Sequence, residues 1–456
     1  VTSSLSTGAL TALVGDGVNT VRADSATSGT LVVQSGSGVD TIDASAVADG
    51  TVNINAGDGA NVITVGDGDS ITTATVSITS GAGADTITVG TAAGLAAASI
   101  TVVSGGGDDT LTISGSDATT AATTLNISMG DGTGDTLVLD TGTDLGLGSV
   151  TLNADIEVIK LATTDNNTNA TFQAADISGQ SFTMKSSDGT TAGAQLGFTV
   201  EAAAGTTAID LSTLTIDQSI TNAVYSTAVT AAAATGGVTI TGTAVADTIT
   251  GSGSADTITA GNGADSITAG AGNDTIIITE ATANSATDTI VFSSAATNGQ
   301  DTITGFKVGT DDLSFLAADT SGGGAAGAAT VATSAAAVVA GASAVSIAGD
   351  VDFTSDDLVE LTTTLTSNGD LTAAIDGSQL LKALSSTTTA ATGLTTDAAT
   401  DEGFLVAYQS GKAFVYHFDA DGAVNDTAIT AAELSLVATL DGITEGTLVA
   451  GDFVVA

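Results

Sequence analysis

The amino-acid sequence predicts an all-β fold, namely a right-handed parallel β-helix or β-roll solenoid that ends in a small C-terminal β-rich cap containing some helix. Three features of the sequence predict it. A glycine-rich turn recurs every 21–25 residues over the first third of the chain, short strands with one apolar face flank these turns, and a stricter nine-residue repeat follows after residue 240. Repeats of such lengths are typical of solenoids, in which each coil buries its apolar face only against its neighbours.

The turns of the first region share the pattern Gly-x-Gly-x-Asp or Gly-x-Gly-x-Asn, and the last of them contains one extra residue. They begin at Gly15, Gly36, Gly57, Gly81, Gly105 and Gly130. The strands between them alternate apolar and polar residues, as in Thr51-Val52-Asn53-Ile54, so each strand should have one buried face. We expect the buried pairs to be Leu31/Val33, Val52/Ile54, Val76/Ile78, Ile100/Val102 and Leu125/Ile127.

Changes in the repeat pattern divide the chain into five expected regions. These are a parallel β-helix over 1–150, an irregular solenoid continuation over 151–240, a nine-residue-repeat β-roll with its closing segment over 241–318, an Ala/Gly-rich linker or soluble helix over 319–350, and a C-terminal cap over 351–456. Within the cap, leucine spacing predicts a helix near 370–385, a capping-box-like sequence occupies 354–357, and strands should return after Gly403.

The charge of the chain favours cations as partners. The sequence has 456 residues, a formal net charge of −45 and six Lys and Arg residues. Nucleic acid is excluded as a partner, because phosphate contacts need clustered basic residues, and binding to bare anionic lipid is disfavoured for the same reason. Hydrophobic residues make up 42% of the chain in a regular pattern, which argues against disorder. The absence of cysteine excludes disulfides and thiolate metal sites.

We expect no membrane span and no enzyme activity. The Ala-rich stretch over 322–349 is interrupted by polar residues and lacks basic flanks. Catalytic motifs such as H-E-x-x-H and G-x-S-x-G are absent from the sequence. The single histidine, His417, lies between Tyr416 and Phe418 on an expected strand, where a structural role is more common than a catalytic one.

Stacking of the first coils should place the acidic ends of their turns in one column. Its aspartates would be Asp40, Asp85, Asp109 and Asp135, with Asn19 and Asn61 among them. Neighbouring coils lie about 4.8 Å apart, and two bare carboxylates at that distance repel by roughly 3–4 kcal/mol at an effective dielectric constant of about 20. A cation between them would remove this repulsion. The alternative is that Asp and Asn act here as ordinary solvated turn formers.

The nine-residue repeat occupies four tandem units over 242–277, and its aspartates and isoleucines recur without interruption. These units resemble the nonapeptide G-G-x-G-x-D-x-U-x of the repeats-in-toxin (RTX) family, in which U is a large aliphatic residue. The resemblance implies a parallel β-roll that binds several calcium ions in its turns. Glycine permits positive φ there, and Asp supplies the hard oxygen that calcium prefers.

In the RTX family one ion sits between turns that are two units apart, which implies that Asp247 pairs with Asp265 and Asp256 with Asp274. The ligand residues implied by the resemblance are Asp247, Gly251, Gly253, Asp256, Gly261, Gly263, Asp265, Gly270, Gly272 and Asp274. The first unit departs from the family pattern because it lacks glycine at its second and fourth positions.

Two further segments resemble parts of RTX proteins. Residues 301–313 are similar to the segment that closes many RTX rolls, which implies a further ion at Asp301 and Asp311, with a plain strand–turn–strand as the alternative. Residues 451–456 are similar to the acidic-then-apolar ending of type I secretion substrates, and no N-terminal secretory signal is visible.

These features predict a secreted, extracellular calcium-binding protein with a structural role at a bacterial cell surface, namely a surface-layer or sheath subunit. Its expected partners are calcium, further copies of itself and, through an anchor, cell-surface polysaccharide or lipopolysaccharide. Calcium outside the cell would trigger folding and assembly. The alternatives are a rod-like extender of an RTX adhesin, an ice-binding solenoid with stacked outward threonines such as Thr86 and Thr110, and a secreted enzyme.

Overall fold

A computed structural model gives the structure of the chain. It describes residues 2–47, 50–66, 75–90, 99–114, 124–139, 145, 149–161, 168–186, 195–219, 224–280, 286–294, 297–316, 327–328, 331–334, 358–364, 369–373, 376–384, 402–419, 430–444, 447–448 and 450–455. The chain divides into two compact units, the first comprising 1–203 and 209–229 and the second comprising 204–208 and 230–456. The expected fold class is confirmed, because the chain forms an all-β parallel solenoid with little helix.

The first unit consists of short strands that follow the alternating segments of the sequence. They are β1 (Thr2–Leu13), β2 (Thr20–Gln34), β3 (Thr41–Ala44), β4 (Thr51–Asn55), β5 (Val62–Val65), β6 (Thr75–Thr79), β7 (Thr86–Gly90), β8 (Ser99–Val103), β9 (Thr110–Ser114), β10 (Thr124–Ser128), β11 (Thr136–Leu139), β12 (Ser149–Leu152), β13 (Val158–Leu161), β14 (Thr168–Gln173), β15 (Thr183–Ser186), β16 (Gln195–Glu201), β17 (Ala208–Asp210), β18 (Thr215–Ile216) and β19 (Val224–Thr230). One four-residue helix, α1 (Ala174–Ile177), follows β14.

Each coil of the first unit contributes two strands, one to each side of the solenoid. The long strand β2 joins the two sides, because its first residues pair with β3 and its last residues pair with β4. Strands β4, β6, β8, β10 and β12 then follow one another on one side, and β3, β5, β7, β9, β11, β13, β15 and β18 follow on the other. The pairings are parallel, so equivalent residues of successive coils lie side by side.

The core of the first unit is a narrow stack of aliphatic side chains. The expected buried pairs are confirmed, since all ten of those residues are at most 4% exposed. Burying one such side chain contributes about 1.5–3 kcal/mol. On the outer face Thr86 and Thr88 stack on Thr110 and Thr112, and Val62 and Val138 interrupt these threonine rows.

Glycine is required where successive turns lie backbone against backbone. Gly59 has a φ of +115°, and a Cβ atom added to it would lie 2.1 Å from the carbonyl oxygen of Gly38 in the coil below. Real Cβ atoms do not approach an oxygen this closely, and non-glycine residues seldom adopt this φ. The recurring glycines therefore let the turns stack at the strand spacing.

The second unit contains the nine-residue repeats and the C-terminal region. Its strands are β20 (Thr239–Thr241), β21 (Ala246–Thr250), β22 (Thr257–Thr259), β23 (Ser266–Thr268), β24 (Thr275–Ile277), β25 (Thr289–Phe292), β26 (Asp301–Thr304), β27 (Asp312–Phe315), β28 (Gly327–Ala328), β29 (Val331–Ser334), β30 (Leu358–Thr364), β31 (Glu402–Gln409), β32 (Lys412–Asp419), β33 (Leu434–Asp441) and β34 (Phe453–Val455). Its helix is α2 (Ser378–Leu384), and 3₁₀ turns occupy Ala431–Glu433 and Ala450–Asp452.

The nine-residue units form a roll of two parallel sheets. Strands β20, β22, β24 and β26 stack in one sheet, and β21, β23, β25 and β27 stack in the other. Because successive units alternate between the sheets, residues 18 apart in sequence become neighbours, as Thr257 and Thr275 do. The isoleucines that recur every nine residues point inward and are at most 1% exposed, namely Ile249, Ile258, Ile267 and Ile276.

An antiparallel cap continues both sheets of the roll. Strands β31, β32 and β33 are antiparallel, β33 pairs in parallel with β26, and β34 pairs in parallel with β27. Aromatic rings fill this end of the roll, where Phe315 stacks on Phe292 at 5.1 Å and on Phe404 at 3.9 Å between ring centroids. The cap therefore covers sheet edges that would otherwise expose unpaired backbone groups.

The structure refines the predictions for the C-terminal half. The described residues of the Ala/Gly-rich segment form the short strands β28 and β29 rather than a helix. The predicted helix near 370–385 is shorter than expected and begins at Ser378, whose N–H donates to the side chain of Asp376 in the manner of a helix cap. Strands return at Glu402 as predicted. The capping-box-like sequence at 354–357 lies outside the described residues.

None of the helices in the described ranges has the length and apolar character needed to cross a membrane.

Candidate metal sites

The acidic ends of the N-terminal turns form one continuous column, as the sequence predicts. We define the N-terminal column as Asn19, Asp40, Asn61, Asp85, Asp109, Asp135 and Glu157. Each side chain after Asn19 accepts a hydrogen bond from the backbone N–H of the equivalent residue one coil earlier: the Asp40 N–H donates to Asn61 Oδ1 at 3.0 Å, and the Asp85 N–H donates to Asp109 Oδ1 at 2.8 Å. The column thus fixes one oxygen of every carboxylate.

Two similar columns run through the nine-residue roll. We define the first roll column as Asp247, Asp265, Asp288 and Asp311, and the second roll column as Asp256, Asp274 and Asp301. The same bond connects their members: the Asp247 N–H donates to Asp265 Oδ1 at 2.8 Å, and the Asp256 N–H donates to Asp274 Oδ1 at 2.7 Å. The expected neighbours, Asp247 with Asp265 and Asp256 with Asp274, are therefore stacked.

The carboxylates of the roll differ in what satisfies their second oxygen. In the first two units the backbone N–H of Thr243 or Ser252 donates to Oδ2 of the aspartate four residues later, at 2.6 Å for both Asp247 and Asp256, and the hydroxyl of the same residue donates to Oδ1. In the third and fourth units a glycine occupies that position, and Oδ2 of Asp265 and Asp274 is buried without a hydrogen-bond partner. An unsatisfied buried oxygen is unfavourable unless a cation or proton reaches it.

The glycines of the third and fourth units shape turns that other residues could not form. Gly263 has a φ of +134°, and a Cβ atom on it would lie 2.5 Å from the backbone of Val245; Gly261, Gly270 and Gly272 also have positive φ. Among the other implied ligand glycines, a Cβ atom on Gly251 would meet the Ala269 oxygen at 2.0 Å, whereas one on Gly253 would meet nothing within 4 Å.

The comparison with known families addresses this region directly. The family described as RTX calcium-binding nonapeptide repeat matches residues 241–276 with four copies. The second unit contains an RTX β-roll. Its nonapeptide repeats bind calcium at multiple sites, and RTX repeats in a solenoid indicate a secreted, calcium-binding structural repeat protein. No curated protein and no solved structure matches the chain.

Burial raises the pKa of carboxyl groups in the RTX roll. It raises the pKa of Asp265, Asp288 and Asp301 to about 7 and the pKa of Asp274 to about 6, and repulsion from neighbouring carboxylates adds to the effect. Burial likewise raises the pKa of Asp85 and Asp135 in the N-terminal column to about 6. Without a cation, the folded columns therefore hold carboxylates that tend to take up protons near neutral pH.

The closing segment adds one member to each roll column. Asp301 lies in the second roll column and receives Asn298 Nδ2 at 2.6 Å on its second oxygen. Asp311 lies in the first roll column and receives the Lys307 N–H at 2.7 Å. The structure thus places these two residues in different columns, with a protein donor on both oxygens of each.

Sequence reasoning missed two members of the columns. Asp288 lies between Asp265 and Asp311, and its signal was the triplet Asp-Thr-Ile at 288–290, which repeats the triplet at 274–276 but falls outside the nine-residue spacing. Glu157 ends the N-terminal column by accepting the Asp135 N–H at 2.8 Å. No glycine turn precedes Glu157, so the repeat pattern gave no indication of it.

Any ion in these columns needs backbone ligands as well as carboxylates. Within the described ranges no group of three or more His, Cys, Asp or Glu side chains is arranged to hold a metal ion. Each turn instead offers one column carboxylate beside the carbonyl groups of its own backbone. Calcium accepts mixed carboxylate, carbonyl and water ligands in flexible geometry, so this set of donors fits it.

Two buried residues of the C-terminal region, His417 and Asp452, lie outside the columns. His417 is buried, and its Nε2 lies 3.2 Å from Glu402 Oε1 on the neighbouring strand of the cap. Asp452 is buried beside the RTX roll, where it accepts the Gly309 N–H, and the following residues form β34. A role of this segment in secretion stays a prediction.

Proposed function

We propose that the protein is a structural subunit of an extracellular surface layer or sheath, which folds and assembles when it binds calcium outside the cell. On this proposal the solenoid itself is the functional product, and no catalytic step is involved. RTX solenoids are typically structural, which supports this assignment.

The observation that carries the proposal is the set of buried carboxylate oxygens without partners in a chain of net charge −45. Members of all three columns must be neutralised before the coils can stack at low energetic cost. In a cytosol kept low in calcium, repulsion favours the unfolded, exportable chain. Outside, each site that binds calcium only in the folded state adds about 2.7 kcal/mol of stability when free calcium is about 100 times its dissociation constant.

Assembly is supported by a second set of carboxylates on the outside of the turns. Asp16, Asp58 and Asp108 are exposed, and each accepts a backbone N–H from the next coil, at 2.9–3.0 Å. The resulting acidic edge repels an identical edge on another copy. Calcium ions that bridge two such edges would make self-association depend on the same ion as folding.

Electron microscopy of the purified chain tests this proposal, with calcium, with magnesium at equal ionic strength and with a chelator. Ordered sheets or filaments that form only with calcium are expected. Isolated, monodisperse rods with calcium would instead support the adhesin extender, and a β-sheet circular dichroism spectrum that stays unchanged in chelator would refute calcium-dependent folding.

A variant with Asp16, Asp58 and Asp108 changed to Asn separates assembly from folding. These side chains are exposed, and Asn keeps the oxygen that accepts the backbone N–H. The variant should fold with calcium and remain monomeric by sedimentation velocity. Asp265→Asn provides the matched control, because it alters the RTX roll and leaves the exposed edge intact.

A further inference from the structure

Asn19 and Asn61 occupy the same place in the N-terminal column as the aspartates, and protein atoms satisfy their amide N–H groups. Nδ2 of Asn61 donates to the carbonyl oxygens of Gly57 and Gly59, at 3.1 and 2.9 Å. Nδ2 of Asn19 makes the same two bonds to the glycine carbonyls of its own turn, at 2.8 and 2.9 Å. In each turn, two backbone carbonyl groups therefore converge on the second polar atom of the column side chain.

The aspartates bring an oxygen to the place of that nitrogen. Oδ1 of Asp85 accepts a backbone N–H from the coil before it, as Oδ1 of Asn61 does. Because the aspartates and the asparagines occupy equivalent positions in the column, Oδ2 of the aspartate takes the position of the amide nitrogen, next to the carbonyl groups of the turn. An ionised carboxylate has no hydrogen to donate there, and Oδ2 of Asp40, Asp85 and Asp109 is buried without a partner while each residue is only 1% exposed.

The same turn recurs in the calcium-binding repeats. Residues 261–265 and 270–274 of the RTX roll read Gly-x-Gly-x-Asp, as do residues 36–40, 81–85 and 105–109. In all five turns the second glycine has a φ between +124° and +138°, and the aspartate Oδ2 is buried without a partner. The N-terminal turns thus reproduce the local structure of RTX repeats beyond the matched residues 241–276.

We propose that the turns ending in Asp40, Asp85 and Asp109 each bind a calcium ion, and that Asn19 and Asn61 close the same turn without one. The ligands would be Oδ2 of the aspartate and carbonyl oxygens of its turn, completed by water. Calcium fits this donor set better than magnesium, which demands a near-ideal octahedron. Asp135 lies in a turn with one extra residue and is not counted among the three sites.

Reciprocal substitutions in the full chain test the proposal. Asp109→Asn exchanges the unpartnered oxygen for an amide nitrogen that can donate to the turn carbonyls, and Asn61→Asp makes the opposite exchange. Equilibrium dialysis followed by elemental analysis should find about one calcium ion fewer per chain for Asp109→Asn and about one more for Asn61→Asp. The urea midpoint in calcium-free buffer should rise for the first variant and fall for the second.

Two controls show that a change in bound calcium comes from the exchanged residue and not from a loss of folding. The far-UV circular dichroism spectrum with calcium should stay that of the parent chain for both variants, because each exchange keeps the shape of the side chain. Asp370→Asn, at an exposed position outside all three columns and outside the acidic edge of Asp16, Asp58 and Asp108, should leave the bound calcium unchanged.

The proposal is independent of surface-layer assembly, and its failure can be told apart from a failure of the proposed function. If Asp109→Asn loses no calcium and Asn61→Asp gains none, the proposal is refuted, whatever the roll does. If Asp265→Asn loses calcium at the same time, calcium-dependent folding of the RTX roll still stands. A midpoint that responds to sodium in place of calcium also overturns the calcium assignment.

Discussion

Removing calcium should reverse the usual response of a protein to acid. Asp265, Asp288 and Asp301 have a pKa of about 7 in the folded chain because they are buried beside other carboxylates, against an ordinary value of 3.8. The folded state therefore binds more protons than the unfolded state between these two values. Stability then falls as pH rises from 3.8 to about 7, which is the opposite of ordinary acid denaturation.

The size of the effect follows from the shift of about 3 pKa units at each carboxyl group. One unit corresponds to 1.36 kcal/mol, so a single group removes about 4 kcal/mol of stability by neutral pH. The contributions do not add fully, because Asp265 and Asp288 are neighbours in one column and protonation of one relieves the other. Even one group is comparable to the total stability of a marginal domain, about 5 kcal/mol, so the calcium-free RTX roll should be close to unfolding at neutral pH.

Urea unfolding at a series of pH values measures this directly, in buffer freed of metal by resin because chelators lose their affinity in acid. Without calcium, the free energy of unfolding should decline from pH 4.5 to 7.5, a range of about 3 units. With saturating calcium it should stay nearly level over the same range, because the bound ion takes the place of the protons on these carboxylates. A ligand that binds only the folded state never lowers its stability, so the two curves should converge in acid and separate toward neutral pH.

Matched substitutions distinguish the effect of the buried carboxylates on stability from the effect of the overall negative charge of the chain. Asp265→Asn and Asp16→Asn each remove one negative charge, but Asp16 is exposed and the N–H of Ser37 lowers its pKa. Asp265→Asn should flatten the calcium-free pH profile, and Asp16→Asn should leave its slope unchanged. A calcium-free profile that is level or rises with pH, or equal slopes for both variants, would show that the buried carboxylates do not control stability.

Three further substitutions, one of them with a control variant, have expected outcomes that urea unfolding or calorimetric titration can measure. Ile87→Ala removes a side chain that is 0% exposed in the first unit, so it should destabilise the calcium-loaded chain by about 2–5 kcal/mol; a loss below about 1 kcal/mol would contradict close packing of the coils. Gly263→Ala places a Cβ atom 2.5 Å from the backbone of Val245, so calorimetric titration should find weaker calcium binding by the RTX roll, whereas Gly236→Ala, where a Cβ would meet no atom within 4 Å and φ is not positive, should leave calcium binding near that of the parent. Tyr408→Phe takes the donor from the buried carboxyl group of Glu360, so it should cost about 1–3 kcal/mol, and a neutral result would mean that this group finds another donor.

The sequence predicted the parts of the fold that depend on local periodicity. Alternation of apolar and polar residues identified the buried pairs such as Val52 and Ile54, because only one face of each strand can reach the narrow core. The fixed spacing of the glycine turns then predicted which aspartates would stack. Both features repeat within a few tens of residues, so they leave a visible trace in the sequence.

Features set by long-range contacts could not be predicted in this way. Strand β33 pairs with β26 although more than 130 residues separate them, and no repeat connects the two. Asp288 joins its column through an insertion that breaks the nine-residue spacing. The partner of each second carboxylate oxygen is likewise hidden, because it depends on whether the backbone N–H four residues earlier is directed at that oxygen, as the N–H of Ser252 is in the case of Asp256.

The second polar atom of a column side chain finds a partner in one of three ways. Asn61 uses its own amide, Asp256 accepts the backbone N–H of Ser252 on its second oxygen, and Asp274 leaves an oxygen that requires an outside cation or proton. If these turns bind calcium, calcium dependence is a property of individual turns rather than of the whole chain. It is set by whether the residue at the end of the turn is Asp or Asn, and by whether the backbone N–H four residues before it donates to the second oxygen, as it does at Thr243 and Ser252. A chain can thus become more or less dependent on calcium through single substitutions that leave the strands, the core and the register unchanged.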